Sequence, residues 1–304
     1  IYKYSNIVNC ENSTGDFLLN CKNCTDCFDV NDSQDCKYLV VGVDTKDLMD
    51  CSNMYLKPEL CYQVLGTIAV YNCIFSLYVF HTQNAIYSQF CYNSSNLFGC
   101  CGLRNKKYCI LNKQYTQEEY EKLVPKIFEH MKKTGEFGKY FPAKLSPFGY
   151  NETVAHEYFP LSQEEALKKR FYWLGKDTRE YQPQSYVVPD NIQDVKDDVL
   201  AAVLACESCG APDGRANFLA DPSGLPCGKN YKIIPQELRR LRAIPMPLPR
   251  KCPDCRHRER MSMRNPRKLE TRRCDKCKKD VQSTFQPGTP QTIHCEQCYL
   301  KEVY

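Results

Sequence analysis

Twenty-one cysteines, falling into two separate groups, constrain this 304-residue chain more than any other feature. Twelve lie in residues 1–109, none in 110–205 and nine in 206–298. An odd total excludes complete disulfide pairing within one chain. Eight of the nine C-terminal cysteines form the pairs Cys206/Cys209, Cys252/Cys255, Cys274/Cys277 and Cys295/Cys298. That Cys-x-x-Cys spacing suits a metal ion better than a disulfide framework. Two intervening residues let a tight turn aim both sulfurs at one ion while its N–H groups point at the thiolates. Two such knuckles close a tetrahedral four-sulfur site. The pattern predicts two Zn²⁺ ions on these eight cysteines, in closed sites with no position left for a reacting water.

Cys274/Cys277 and Cys295/Cys298 enclose the stretch 278–294, the spacing of a single ribbon. Cys252/Cys255 and Cys274/Cys277 enclose 256–273, nearly the same length, and would fit as well, so the partnering stays open. The sequential solution, 206/209 with 252/255 and 274/277 with 295/298, is preferred. It gives each unit a knuckle, a strand carrying Lys and an aromatic residue, a Pro-containing turn and a closing knuckle. Cys227 offers a substitute ligand in the first unit, beside an apparent insertion at 211–226. Reduced, metal-binding cysteines make a cytoplasmic location the expectation. No apolar run approaches the ~20 residues that would span a bilayer.

The N-terminal cysteines belong to a different pattern. Residues 1–115 carry short strand-like segments at 17–23, 27–33, 37–43, 47–53, 60–66, 71–80, 86–95, 97–103 and 108–115. Most begin about 10–11 residues apart, separated by Asn, Asp, Ser, Gly or Lys. The segments echo one another (Asn20-Cys21, Asp26-Cys27, Asp50-Cys51, Asn72-Cys73), which favours a parallel β-helix over a sandwich. Small, polarizable Cys side chains can then fill a narrow interior column. Cys21, Cys24 and Cys27, with Cys36 downstream, resemble the start of an iron–sulfur ligand run. The fourth ligand is not at the expected spacing, and interior rungs of the repeat explain them as well.

Residues 116–205 read as a helical and aromatic connecting region. Thr116 with Glu119, and Ser162 with Glu165, form capping boxes that open helices running to about 133 and 171, the first ended by Gly135. Seven aromatics lie between residues 135 and 159, a composition of ordered loop. A Pro-interrupted linker at 181–189 precedes a short helix over 190–205. The expected fold is multidomain and mainly β: a solenoid at 1–115, the connecting region at 116–205 and a tandem zinc-ribbon domain at 206–304.

Charge is segregated. Residues 229–279 hold 18 Lys/Arg against 5 Asp/Glu, a net +13 within a chain whose total is +5. Eight thiolates and two Zn²⁺ would remove four charges from the formal tally. Arg239, Arg240, Arg242, Arg256, Arg258, Arg260, Arg264, Arg267 and Lys268 are therefore candidate phosphate contacts, because guanidinium pairs bidentately with phosphate and each contact releases counterions. Tyr231, Phe285 and Tyr299 either stack on bases or form ribbon core. The competing readings are a solvated face with Arg tied to Glu237, Glu259 and Glu270, and a surface for an acidic protein partner.

Cys206-Glu207-Ser208-Cys209, Ile233-Ile234-Pro235-Gln236-Glu237-Leu238, Pro247-Leu248-Pro249-Arg250-Lys251-Cys252-Pro253-Asp254-Cys255-Arg256 and His294-Cys295-Glu296-Gln297-Cys298-Tyr299 together resemble uncharacterised zinc-ribbon proteins common in candidate-phylum bacterial genomes. Asn112-Lys113-Gln114-Tyr115 and Ser146-Pro147-Phe148-Gly149-Tyr150-Asn151-Glu152-Thr153 extend the likeness over most of the chain. The resemblance implies tandem zinc binding and no established activity. The 211–226 insertion with Cys227 departs from the compact first ribbon of those proteins and leaves its ligand set open.

None of the five histidines lies in a catalytic motif, and the chain has no Walker loop, Gly-x-Ser-x-Gly or His-Glu-x-x-His. The leading expectation is a non-enzymatic zinc protein that contacts nucleic acid through its basic ribbon region. The alternatives are a protein–protein scaffold using the solenoid, and a carbohydrate-active β-helix with Asp26, Asp29, Asp32 and Asp35 lining a groove.

Overall fold

Every third residue of the N-terminal region lies in the left-handed backbone region. Asn20, Asn23, Asp26, Asp29, Asp32 and Asp35 have φ between 50° and 57°, and the pattern continues to Leu111. L-residues resist this conformation by roughly 1–2 kcal/mol, and Asn and Asp resist it least. Their recurrence at every third position therefore dictates a repeating turn. In the computed structural model, which describes residues 1–175, 184–208 and 230–304, each triplet has one job per position. The first residue pairs with the next coil, the second turns the backbone, and the third points inward.

Four triplets close one coil of a parallel β-solenoid. The register advances by that length in Phe28↔Val40↔Ser52 and in Gln83↔Ser95↔Lys107. One coil, Ser52↔Leu65, is longer by a single residue, and there Leu56 and Lys57 are both left-handed. The coil thus exceeds the spacing expected from the hydrophobic segments. Segment starts follow local clusters of apolar residues, whereas the coil length is set by the triplet. The stretch 71–80 forms only isolated parallel bridges, such as Tyr71↔Gln83 and Leu77↔Gln89.

The third positions build the core: Leu18, Val30, Leu39, Leu48, Met54, Val79 and Leu97, each at most 1% exposed, with the cysteines between them. Ten N-terminal cysteines are buried here, from Cys21 and Cys24 to Cys109, while Cys10 is half-buried and Cys101 exposed. Their thiols donate to backbone carbonyls. Cys21 Sγ donates to Leu19 O and Val30 O, both at 3.3 Å, and Cys27 Sγ to Thr25 O at 3.4 Å. Ser76 and Thr82 make the same two bonds with their hydroxyls. Cys, Ser and Thr share these positions because each is small and brings a donor to a carbonyl that burial would otherwise strand.

Both ends of the solenoid are closed. At the N-terminal end, Tyr2–Lys3 pairs parallel with Ile293–His294. The antiparallel hairpin Glu270–Arg273/Asp280–Ser283 lies next to it. The Thr284 hydroxyl donates to buried Asp16 at 2.6 Å, and Arg267 forks onto Asp29 at 2.6 and 2.9 Å. At the other end, Lys113–Gln114 turns back on Lys107–Ile110. The helix Gln117–Thr134 lays Tyr120, Val124 and Phe128 against Phe98 and Ile110. The Thr116/Glu119 capping box and the left-handed Gly135 end-cap are both present. Tyr140 and Phe141 pack on Phe75 and Tyr87.

The chain divides into two compact units, Ile1–Phe141 with Pro266–Tyr304, and Pro142–Asn265. In the second unit, Tyr150, Phe171, His156 and Trp173 form a ring cluster, and Asn151 clamps the backbone of Leu174 through both its amide atoms. Ser162 caps Gln163–Lys168 as expected, though that helix is shorter than the sequence suggested. The segment expected as a helix over 190–205 forms two 3₁₀ turns instead, Ile192–Asp194 and Asp197–Leu200. This tighter winding lets Ile192, Val195, Val199 and Leu204 all reach one core, which they share with Tyr231, Ile233, Leu238 and Leu248.

Candidate metal centres and the basic surface

Cys206, Cys252 and Cys255 are buried within that core. Cys252 caps the helix Pro253–Ser262, so the helix start supplies amides to sulfur: Cys252 N–H donates to Cys206 Sγ at 3.2 Å and Cys255 N–H to Cys252 Sγ at 3.5 Å. Arg258 Nη2 adds a charged donor to Cys255 Sγ at 3.6 Å. The three sulfurs lie within 4.8 Å of one another. Cys209 and Cys227 lie outside the described residues.

The second group belongs to the solenoid unit. Cys274, Cys277, Cys295 and Cys298 bring four sulfurs within 4.8 Å. Cys274 follows the strand Glu270–Arg273, and Cys295 caps the terminal helix Glu296–Val303. Cys295 N–H donates to Cys274 Sγ at 3.3 Å, and Cys277 and Cys295 Sγ are 3.6 Å apart. A tetrahedral ion with bonds of about 2.3 Å would hold its sulfurs roughly 3.8 Å apart, so the set closes around one ion with little movement. Burial alone would raise the Cys274 thiol. Amide hydrogen bonds from Cys277, Cys295 and Lys276 outweigh it and bring Cys274 down to about 6. Both groups could hold metal ions.

Within the solenoid the thiols differ among themselves: Cys36 is brought down to about 7, chiefly by the Cys24 thiol, while Cys21 and Cys24 move the other way. Cys21 lies far above the ordinary thiol range through the neighbouring Cys24 thiol and burial. Cys24 lies there too: Cys21 pulls it down, but Cys27, Cys36 and burial together outweigh that pull. Both stay protonated and donate to carbonyls, Cys21 to Leu19 O and Val30 O and Cys24 to Lys22 O and Ser33 O.

Most of the basic residues have partners within the chain. Arg242 bonds Asp197 and Val195 O, Arg256 pairs with Glu237, and Arg258 holds Cys255. Arg264 donates to the Tyr158 hydroxyl, Arg267 is forked on Asp29, and Lys268 pairs with Glu270. Lys251 pairs with Glu259, so all three glutamates named from sequence as counter-charges are occupied. Arg239, Arg240 and Arg260 are exposed and make no ion pair among the described residues. Tyr231 and Phe285 are packing groups: Tyr231 is 9% exposed and donates to Pro249 O, and Phe285 lies 5.3 Å from the Tyr2 ring.

Asp26, Asp29, Asp32 and Asp35 fall on four successive triplets, hence on four corners of the coil, and converge on no groove. Asp32 accepts from Asn20, Asp35 from Asn23, and Asp29 from Arg267.

Sequence reasoning missed the ring ladders on the solenoid exterior. Tyr78 stacks on Phe90 at 5.5 Å and Phe80 on Tyr92 at 5.1 Å, with planes 3° and 8° apart. The signal was present as aromatics recurring at an interval of four triplets. No helix among the described residues is long and apolar enough to cross a membrane. Compared with family models, curated proteins and solved structures, the chain has no significant match.

Proposed function

We propose that this chain is a non-enzymatic zinc protein that contacts nucleic acid through the surface around its first cysteine group. Four-sulfur sets such as Cys274, Cys277, Cys295 and Cys298 favour Zn²⁺ and leave it coordinatively closed. A fourth cysteine would close the Cys206, Cys252 and Cys255 group in the same way, so the metal would organise structure and perform no hydrolysis. The observation that carries the reading is the exposure of Arg239, Arg240 and Arg260 without carboxylate partners among the described residues. They sit on Pro235–Ala243 and Pro253–Ser262, two helices joined by the Arg256–Glu237 ion pair. Helices fixed by a metal knuckle and a salt bridge present free guanidinium groups at little ordering cost, the arrangement that phosphate oxygens complement.

A salt titration with random-sequence duplex oligonucleotides tests this. Three phosphate contacts give a log–log slope of about −2.7 against salt. Reversing Arg239, Arg240 and Arg260 to Glu removes the binding. Absence of binding at ~50 mM salt refutes the proposal.

A second reading is favoured by the six candidate cations that already have partners within the chain. In it the cysteine modules serve structure alone and the solenoid acts as an interaction scaffold. Co-purification of a protein partner without nucleic acid would select it.

A further inference from the structure

One ladder on the solenoid exterior lacks a rung. Asn53, Gly66, Tyr78, Phe90 and Gly102 occupy the same left-handed position in successive coils, locked by the bonds Tyr78 N–H to Leu65 O, Phe90 N–H to Leu77 O and Gly102 N–H to Gln89 O. Side chains at these positions lean over the preceding coil. A Cβ at Gly66 would meet the Tyr78 ring at 2.6 Å, and on a different corner of the coil one at Gly99 would likewise meet Leu111 at 2.8 Å. The Phe90 ring accordingly covers Tyr78. At Gly102 a Cβ would meet nothing within 4 Å, so no side chain occupies the place of the next rung, and Phe90 is 46% exposed.

The neighbouring ladder does have its third rung. Phe80 and Tyr92 are followed by Arg104, whose guanidinium lies 4.9 Å from the Tyr92 ring centre. Arg104 follows Gly102 closely on the same coil, with only Leu103 between them. The open position thus has an aromatic floor, with an arginine two residues further along the same coil. The coils themselves carry only positive charge: residues 60–117 contain Arg104, Lys106, Lys107 and Lys113 and no Asp or Glu.

The geometry points to a stacking slot over Phe90 for the base of a nucleotide, with its phosphate directed to Arg104. A flat π-system continues the stack where Gly102 supplies no side chain, and the carboxylate-free coil complements the phosphate. A neutral sugar ring would match the floor and leave the charge unused. The slot lies in the solenoid unit and is independent of Arg239, Arg240 and Arg260.

Ligand-observed NMR titrations of the full, zinc-loaded chain with AMP, adenosine and ribose 5-phosphate test the assignment. AMP is expected to bind tightest, with ribose 5-phosphate at least about 10-fold weaker, since it lacks the stacking base. Gly102→Tyr extends the ladder into the slot and should abolish AMP binding. Phe90→Asn removes the floor while keeping a residue type that this backbone position accepts, as at Asn53, and should weaken AMP about 10-fold. Arg104→Gln should weaken AMP and leave adenosine unchanged. The assignment is overturned if ribose 5-phosphate binds as well as AMP. It is equally overturned if neither Gly102→Tyr nor Phe90→Asn alters AMP binding, or if cellotetraose displaces AMP. Reversal of Arg239, Arg240 and Arg260 leaves AMP binding intact, which separates this slot from the duplex-binding surface.

Discussion

Cys21, Cys24 and Cys27 share the two-residue spacing of the C-terminal knuckles, yet the two sets of sulfurs differ in the hydrogen bonds that dominate around them. The buried solenoid sulfurs donate to carbonyls, as from Cys21 to Leu19 O and Val30 O. In the C-terminal groups the sulfur accepts, as Cys274 does from Cys295 N–H and Cys206 from Cys252 N–H. Carbonyls around a sulfur keep its proton, and amides around it favour the thiolate that a metal needs. Spacing alone therefore does not define a metal site. In the triplet coil, Cys-x-x-Cys is one step around a corner; in a knuckle it is a turn that folds both sulfurs toward one point.

The most severe test of that contrast is metal removal. Chelation at pH 7 should forfeit on the order of 10 kcal/mol of binding free energy per closed site. Residues 266–304 should then become protease-sensitive while the solenoid's far-UV signature persists. A C-terminal module that stays ordered without metal breaks the comparison. Next in size, Leu97→Ala in the solenoid core should cost about 3 kcal/mol in urea unfolding, an effect of packing alone that leaves the metal content unchanged.

Cys24→Ser should change stability by no more than about 1 kcal/mol, because Ser76 and Thr82 already make the corresponding bonds at equivalent positions. A loss of several kcal/mol would mean that these sulfurs do more than fill the core and donate. The smallest effect concerns the backbone. Val41 is β-branched with φ of 60°, so Val41→Asn should stabilise by about 1 kcal/mol, read as a higher urea midpoint. An unchanged or lower midpoint would show that packing around Val41 outweighs its strain.

Much of this organisation was legible in the residues. The Cys-x-x-Cys pairs marked both C-terminal groups, the capping boxes at Thr116 and Ser162 marked helix starts, and echoed Asn/Asp-Cys dipeptides marked a solenoid. The triplet was harder to read because its period of three matches neither the alternation of a strand nor the 3.6 of a helix. Its trace was the run Asn20, Asn23, Asp26, Asp29, Asp32, Asp35, whose residues read singly as turn formers. Charge pairing was legible only in part. Glu237, Glu259 and Glu270 were recognisable as nearby counter-charges, but Arg267 finds Asp29 from the far end of the chain, which no local pattern encodes. The ring ladders required knowing the coil length, since Tyr78 and Phe90, or Phe80 and Tyr92, become neighbours only once four triplets make the register.

Native mass spectrometry of the intact chain tests the division between the two kinds of cysteine most directly. It should find two zinc ions per chain, one after Cys274→Ser with Cys277→Ser, and still two after Cys24→Ser with Cys27→Ser. An ion lost with the solenoid pair, two ions retained without Cys274 and Cys277, or disulfide-linked C-terminal pairs would contradict it.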